Sequence, residues 1–162
     1  MIVLGVDPGS LRTGYGVVET DGRRHQLIEM GVIAPAERSS LPEKLRHIHA
    51  GVSALIERLH PEALAVEDVF HAVNTRTALV LGHVRGVVLL AGAERGLPVH
   101  EYPPATVKQQ ITGFGRAEKG QVAFMVTRLL ELTADAEPGD ATDALAAALC
   151  FACLRASIEA TR

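Results

Sequence analysis

Apolar residues recur along this chain in distinct rhythms, and each rhythm predicts an element. "IVLGVD" (Ile2–Asp7) is a run of apolar and glycine positions that stops at Pro8-Gly9, the mark of a buried strand ending in a turn. "TGYGVVET" (13–20) and "HQLIEMGVIA" (25–34) continue as strands with Asp21-Gly22 as the hairpin turn between them, predicting an antiparallel meander. The period then changes. Leu41, Leu45, Ile48, Val52, Leu55, Ile56 and Leu59 recur at helical spacing, and Pro61 ends that helix. A strand follows in "EALAVEDVF", then a helix from about Asn74 to Arg95, a strand in "LPVHEY" and a short helix from about Pro104. A loop, "TGFGRAEKGQ", leads to a helix through "VAFMVTRLLELT", and a closing helix begins near Gly139. Strands and helices in this order make an α/β fold, with no internal repeat and no interdomain linker.

Composition narrows the class. With 162 residues, 48% of them hydrophobic and 22% charged, the chain is expected to build one core and one domain over 1–162. It is expected to hold no stretch approaching the roughly 20 apolar residues that span a bilayer, and no signal peptide, which predicts a cytoplasmic protein without a membrane partner. Cys150 and Cys153 have the C-x-x-C spacing of a redox or zinc half-site but no second pair, so both are expected to be small core residues on one helical face.

Candidate chemistry sits at the ends of elements. Asp7 closes the first strand and Glu67 closes the strand in "EALAVED", and strand ends of an open α/β sheet are where ligands bind. Asp7 could equally start a turn by bonding nearby backbone amides. Asp140 and Asp143 in "EPGDATDALAAALC" lie three residues apart at a helix start, where acids also serve simply to cap free amides and match the helix dipole. Four carboxylates on one rim repel one another unless a cation binds among them. An all-oxygen donor set suits Mg²⁺ or Mn²⁺, and such ions suit phosphoryl chemistry.

"GVDPGSLRTGYGVV", "AVEDVF", "VKQQITGFGRAEKGQV" and "DATDALAAAL", in this order and nearly end to end, resemble the RuvC-type crossover junction endodeoxyribonucleases, the Holliday-junction resolvases. The resemblance implies a single ribonuclease-H-like nuclease domain, a mixed five-stranded sheet flanked by helices. It implies a homodimer that resolves four-way DNA junctions by paired symmetric nicks, leaving 5′-phosphate and 3′-hydroxyl ends. Carried over position by position, the family's acidic quartet falls on Asp7, Glu67, Asp140 and Asp143, holding two Mg²⁺ ions, with Mn²⁺ as a substitute and Asp7 bridging the pair. Lys119 falls where the family has a lysine near the scissile phosphate. A branch-migration complex, made of a junction-binding tetramer and a helicase ring, is the implied partner.

The formal charge of −3 is poor for a polyanionic ligand, but residues 71–128 carry seven Lys and Arg against three Asp and Glu. Lys108, Arg116 and Lys119 are the candidate DNA contacts there, with ordinary solvated charge as the alternative. Phe70, just past Glu67, is a candidate to stack on an unpaired base at the junction centre, as an aromatic does in the family, or else a loop residue tucked into the core. Asn74 and Arg76 follow it as further DNA-binding candidates. Gly82 and Gly86 lie one turn apart on the second helix and mark either the dimer contact or close packing on the chain's own sheet. No histidine is required for metal-assisted hydrolysis; His25, His47, His49, His60, His83 and His100 are expected to be surface or packing residues, and His71 is unassigned. Two other classes stay open: a ribonuclease-H-like domain that processes RNA or binds junctions without cutting, and an actin-like phosphotransferase, whose first phosphate loop "DPGSLRTGYG" also resembles.

Overall fold

The meander forms as its pattern predicts. In a computed structural model describing residues 1–68, 74–133 and 139–160, β1 (Ile2–Asp7), β2 (Thr13–Thr20) and β3 (His25–Ile33) pair antiparallel in sequence order. β4 (Ala63–Glu67) lies parallel to the other side of β1, and β5 (Val99–Tyr102) lies parallel to β4, completing the mixed five-stranded order β3-β2-β1-β4-β5.

Among the described residues five helices cover the two faces. α1 (Leu41–Leu59) starts at Ser40, whose backbone N–H and hydroxyl both donate to the Glu43 carboxylate. It ends at His60, held in the left-handed region at φ 47° before Pro61. α1 and α2 (Thr75–Ala93) pack on Leu4, Val6, Val17, Leu64 and Val66. α3 (Pro104–Thr112), α4 (Lys119–Leu129) and α5 (Asp140–Ala160) pack on the opposite face, against Val3, Val18, Ala63 and Ala65.

That alternation decides where the strand-end acids point. Side chains along a strand alternate between faces, so Asp7 shares the face of Val3 and Gly5, and Glu67 shares the face of Ala63 and Ala65. Both therefore face α5. In the parallel β1–β4 register Val6 sits opposite Val66, which brings Asp7 and Glu67 to the same end of neighbouring strands.

α5 rests on the sheet at backbone contact. A Cβ on Gly14 would lie 1.9 Å from the Asp140 carbonyl oxygen, and one on Gly5 would lie 2.0 Å from that of Ala144. Only glycine fits under the helix at these points, and its absence of a side chain is what lets the first turn of α5 reach Asp7.

Two expectations are corrected. The loop in "TGFGRAEKGQ" ends earlier than its composition predicts: the Gln121 side chain accepts from the Glu118 N–H at 2.9 Å, so α4 starts at Lys119. Among the described residues two helices are also long and apolar enough to match a bilayer span, against the expectation of none; the apolar stretches within Asp140–Ile158 and Thr75–Ala93 are 56% and 22% buried. α5 is thus a core helix, and α2 exposes much of its apolar surface. The cysteines sit as expected on α5, where burial pushes the Cys150 thiol up to about 12 and raises that of Cys153.

Candidate active site

Asp7 from β1, Glu67 from β4 and Asp143 from the first turn of α5 line one cleft of about 280 Å³, together with Lys108 and Lys119. Sheet parity supplies the first two acids, and the close seat of α5 on glycine supplies the third. Asp140, one turn earlier, lies off the cleft lining. It is near enough for its charge to act on Asp7, and its carboxylate accepts from Arg12 Nε at 2.7 Å.

The electrostatics of the cleft are those of an overcrowded anionic site. Asp7 is pushed up to about 6, first by burial and then by the charges of Asp143 and Asp140, with Lys119 pulling the other way. Glu67 is pushed up to about 8 by burial, then by Asp7 and Asp143, and Lys119 and Lys108 lower it. Lys119 Nζ donates to Asp143 Oδ2 at 2.7 Å, and that bond is the main reason its own ammonium is held above the ordinary value. Carboxylates raised by burial and by one another's charge, gathered in a cleft, are the pattern of a functional site.

The other candidates separate. Lys108 and Lys119 reach the cleft; Arg116 is exposed on the α3–α4 loop, and Arg76 is exposed in the first turn of α2. Asn74 has a structural job, capping α2 by accepting from the N–H of Thr77 at 2.9 Å and its hydroxyl at 3.1 Å. Phe70 and His71 lie outside the described residues. The remaining histidines stay off the cleft: His49 pairs with Glu94, His83 bonds the Leu79 carbonyl, and His100 stacks obliquely on Phe151 with ring centroids 4.7 Å apart. Among the described residues nothing lies within 4 Å of a built Cβ of Gly82 or Gly86, so neither glycine packs on the chain's own sheet.

Three residues escaped the sequence reading. Asp68 also lines the cleft, but Arg85 of α2 holds its carboxylate at 3.3 Å while also pairing with Glu101 of β5. Arg12 reaches Asp140 across 128 positions of sequence. No periodicity or motif spacing links such partners; only the arrangement of β1, β2, β5, α2 and α5 does. A larger depression of about 910 Å³ lies at the other end of the sheet, near Met1 and the β2–β3 turn, but gathers Arg23, Arg24, Glu19 and Asp21 as mixed surface charge, without a buried carboxylate.

Residues 3–151 match the family model described as crossover junction endodeoxyribonuclease RuvC. A crossover junction endodeoxyribonuclease RuvC of Desulforamulus reducens is 46% identical over 152 residues, covering 94% of this chain and 93% of that protein. One of Pelotomaculum thermopropionicum is 47% identical with the same coverage. Among solved structures, the RuvC of Thermus thermophilus in complex with a Holliday junction substrate is 37% identical and superposes with a TM-score of 0.91 over 97% of this chain and 96% of that one.

Proposed function

The chain belongs to the RuvC family of crossover junction endodeoxyribonucleases, with the ribonuclease-H-like fold of that family, and from that premise we infer that the acidic cleft is where it cuts four-way DNA junctions. One observation carries this reading: β1, β4 and α5 converge to bring Asp7, Glu67 and Asp143 into one cleft, where burial first and then the charge of Asp143 hold both Asp7 and Glu67 above the ordinary carboxylate range. Such a cluster is built for a cation.

The donor set fits a hard divalent ion, since every candidate ligand is a carboxylate oxygen. Among the described residues no three His, Cys, Asp or Glu side chains form a ready-made cage. That suits Mg²⁺, which keeps several waters and is bound by one or two carboxylates together with substrate phosphate. Asp7, Glu67 and Asp143 would hold it, with Asp140 joining from the rim, and two ions per site are proposed. When bound, the ions activate the attacking water and stabilise the leaving 3′ oxygen.

The protein residues supply position and charge. Asp7 and Glu67 are fixed by strands paired on both sides, so their carboxylates are presented with little freedom. Lys119 anchors Asp143 while its own side chain stays 70% exposed, where it can meet a phosphate as negative charge builds. Lys108 adds a second positive charge in the cleft. Cleavage leaves 5′-phosphate and 3′-hydroxyl ends that a ligase can seal.

A junction offers two equivalent strands, and a two-fold dimer would cut them as a pair. The outward face of α2, with Gly82 and Gly86 open and Leu79 61% exposed, is the proposed contact between copies. A branch-migration complex of junction-binding tetramer and helicase ring is carried over from the family as the proposed partner, and the cytoplasm is the proposed compartment for an enzyme of chromosomal recombination and repair.

The test is a cleavage panel of mobile four-way junction, linear duplex, structured RNA and ATP, each with Mg²⁺ or chelator. Paired nicks on the junction alone, abolished by chelator, are the expected result. Turnover of RNA or ATP with an untouched junction would contradict the assignment.

A further inference from the structure

Arg12 is the last residue of the β1–β2 connection, directly before β2, and its place there is defined by the residues beside it. The Thr13 hydroxyl, on a residue with no exposed surface, donates to the Gly9 carbonyl at 2.8 Å, and the Gly9 N–H donates back to Thr13 Oγ1 at 3.4 Å. The side chain that extends from this turn is 63% exposed except where Nε meets Asp140 Oδ2 at 2.7 Å. Asp140 is itself a candidate cation ligand whose charge reaches Asp7. Arg12 therefore occupies, on one acid of the quartet, the position of counter-charge that an arriving cation would take.

We propose that Arg12 is a substrate-positioning residue, paired with Asp140 while the site is free of cation and turned to a DNA phosphate once Asp140 shares its charge with the ion. The inference rests on the functional reading above and names a contact that reading does not contain. Two facts favour it over a plain surface pair. A guanidinium presents several donors in a planar fork, so it can leave a carboxylate for a phosphate without losing charge-assisted bonds. The pair is also exposed, with the two side chains 63% and 35% accessible, so it is weak enough for a divalent ion to outcompete.

The test uses Arg12→Gln, with Arg12→Lys as the charge-retaining control. In the absence of DNA, Mn²⁺ titration should give about two- to fivefold tighter binding to Arg12→Gln than to the native protein, because a competitor for Asp140 has been removed. Junction affinity is then measured against salt in chelator and in Ca²⁺. In chelator the two proteins should bind alike. In Ca²⁺ the native protein should bind several-fold more tightly than Arg12→Gln, with a salt slope steeper by roughly one phosphate contact, and Arg12→Lys should keep that slope. Asp140→Asn should show the steeper slope already in chelator, since Arg12 is then released without an ion.

Equal Mn²⁺ affinity and equal Ca²⁺-dependent slopes for native and Arg12→Gln would overturn the proposal and leave Arg12 a surface ion pair. The functional reading fails by a different result, a native protein that binds Mn²⁺ and DNA but never nicks a four-way junction. The titration without DNA judges Arg12 in either case.

Discussion

α2 and α5 are alike in apolar composition and opposite in surroundings. Each offers a stretch apolar enough for a membrane span, yet 56% of the α5 stretch is buried and only 22% of the α2 stretch. The difference lies in what faces them. α5 meets glycines on β1 and β2 and sinks to backbone contact, burying Leu145 and Leu149 completely. α2 keeps Val84 and Val88 inward but turns Leu79 and Leu90, 61% and 49% exposed, away from the sheet together with Gly82 and Gly86. Apolar composition does not place a helix; a complementary surface does. α5 has found its surface within the chain, and α2 presents a patch that a second copy would cover.

Substituting the glycine seats breaks the comparison most severely. Gly5→Val should cost roughly 3 kcal/mol or more in chemical denaturation, because the new side chain meets the Ala144 carbonyl with no room to relax. Gly82→Val, in open space on α2, should cost no monomer stability beyond about 0.5 kcal/mol. Equal losses would mean that α5 is not held by this contact.

Next in size is the assembly. Gly86→Glu should raise the dimer dissociation constant by about a hundredfold in sedimentation and uncouple the paired nicks, while leaving the melting of the monomer nearly unchanged. Unaltered dimers would move the interface off α2.

The end of α5 has its own signature in pH. The unfolded carboxyls titrate near 3.8 and 4.5, whereas Asp7 and Glu67 in the cleft titrate near 6 and 8, so the folded chain holds extra protons between these limits. Stability from this source is full below about pH 4 and is lost as pH rises to 8. In chelator, Glu67→Gln should therefore gain stability over the native protein at pH 8 and lose that advantage at pH 4; added Mg²⁺ should stabilise the native protein most at pH 8. A difference that does not change with pH would contradict the buried cluster.

The smallest effect belongs to the start of α2. Asn74→Ala should cost about 1 kcal/mol through the lost cap and leave junction affinity at native strength. A loss of binding without a loss of stability would return Asn74 to the DNA contacts.

Much of this was legible before any coordinates. Unbroken apolar runs ending on Asp7 and Glu67 mark two strand ends and bring both acids to one rim of a sheet, and the helical period of Leu41–Leu59 stops where Pro61 requires. The first-turn position of Asp140 and Asp143 left capping and metal binding open, and the seat of α5 over Gly14 is what brings Asp143 into the cleft and Asp140 to Arg12. Arg12 with Asp140 and Arg85 with Asp68 join residues far apart in sequence, and charge pairs of that kind leave no local pattern. The two explanations of Gly82 and Gly86 needed the sheet in place before one could be discarded.

Asp143→Asn tests the central claim most directly, because the same residue is both the α5 first-turn acid and the third wall of the cleft. Melting temperature, junction binding in chelator and single-turnover cleavage in Mg²⁺ are measured on one preparation. The account predicts a folded protein that binds the junction at least as well as the native one and cleaves it at least about a hundredfold more slowly, a loss of roughly 2.7 kcal/mol in transition-state stabilisation. Near-native cleavage with a stability loss of only about 0.3–1 kcal/mol would make Asp143 a helix-end acid and contradict the assignment of the cleft.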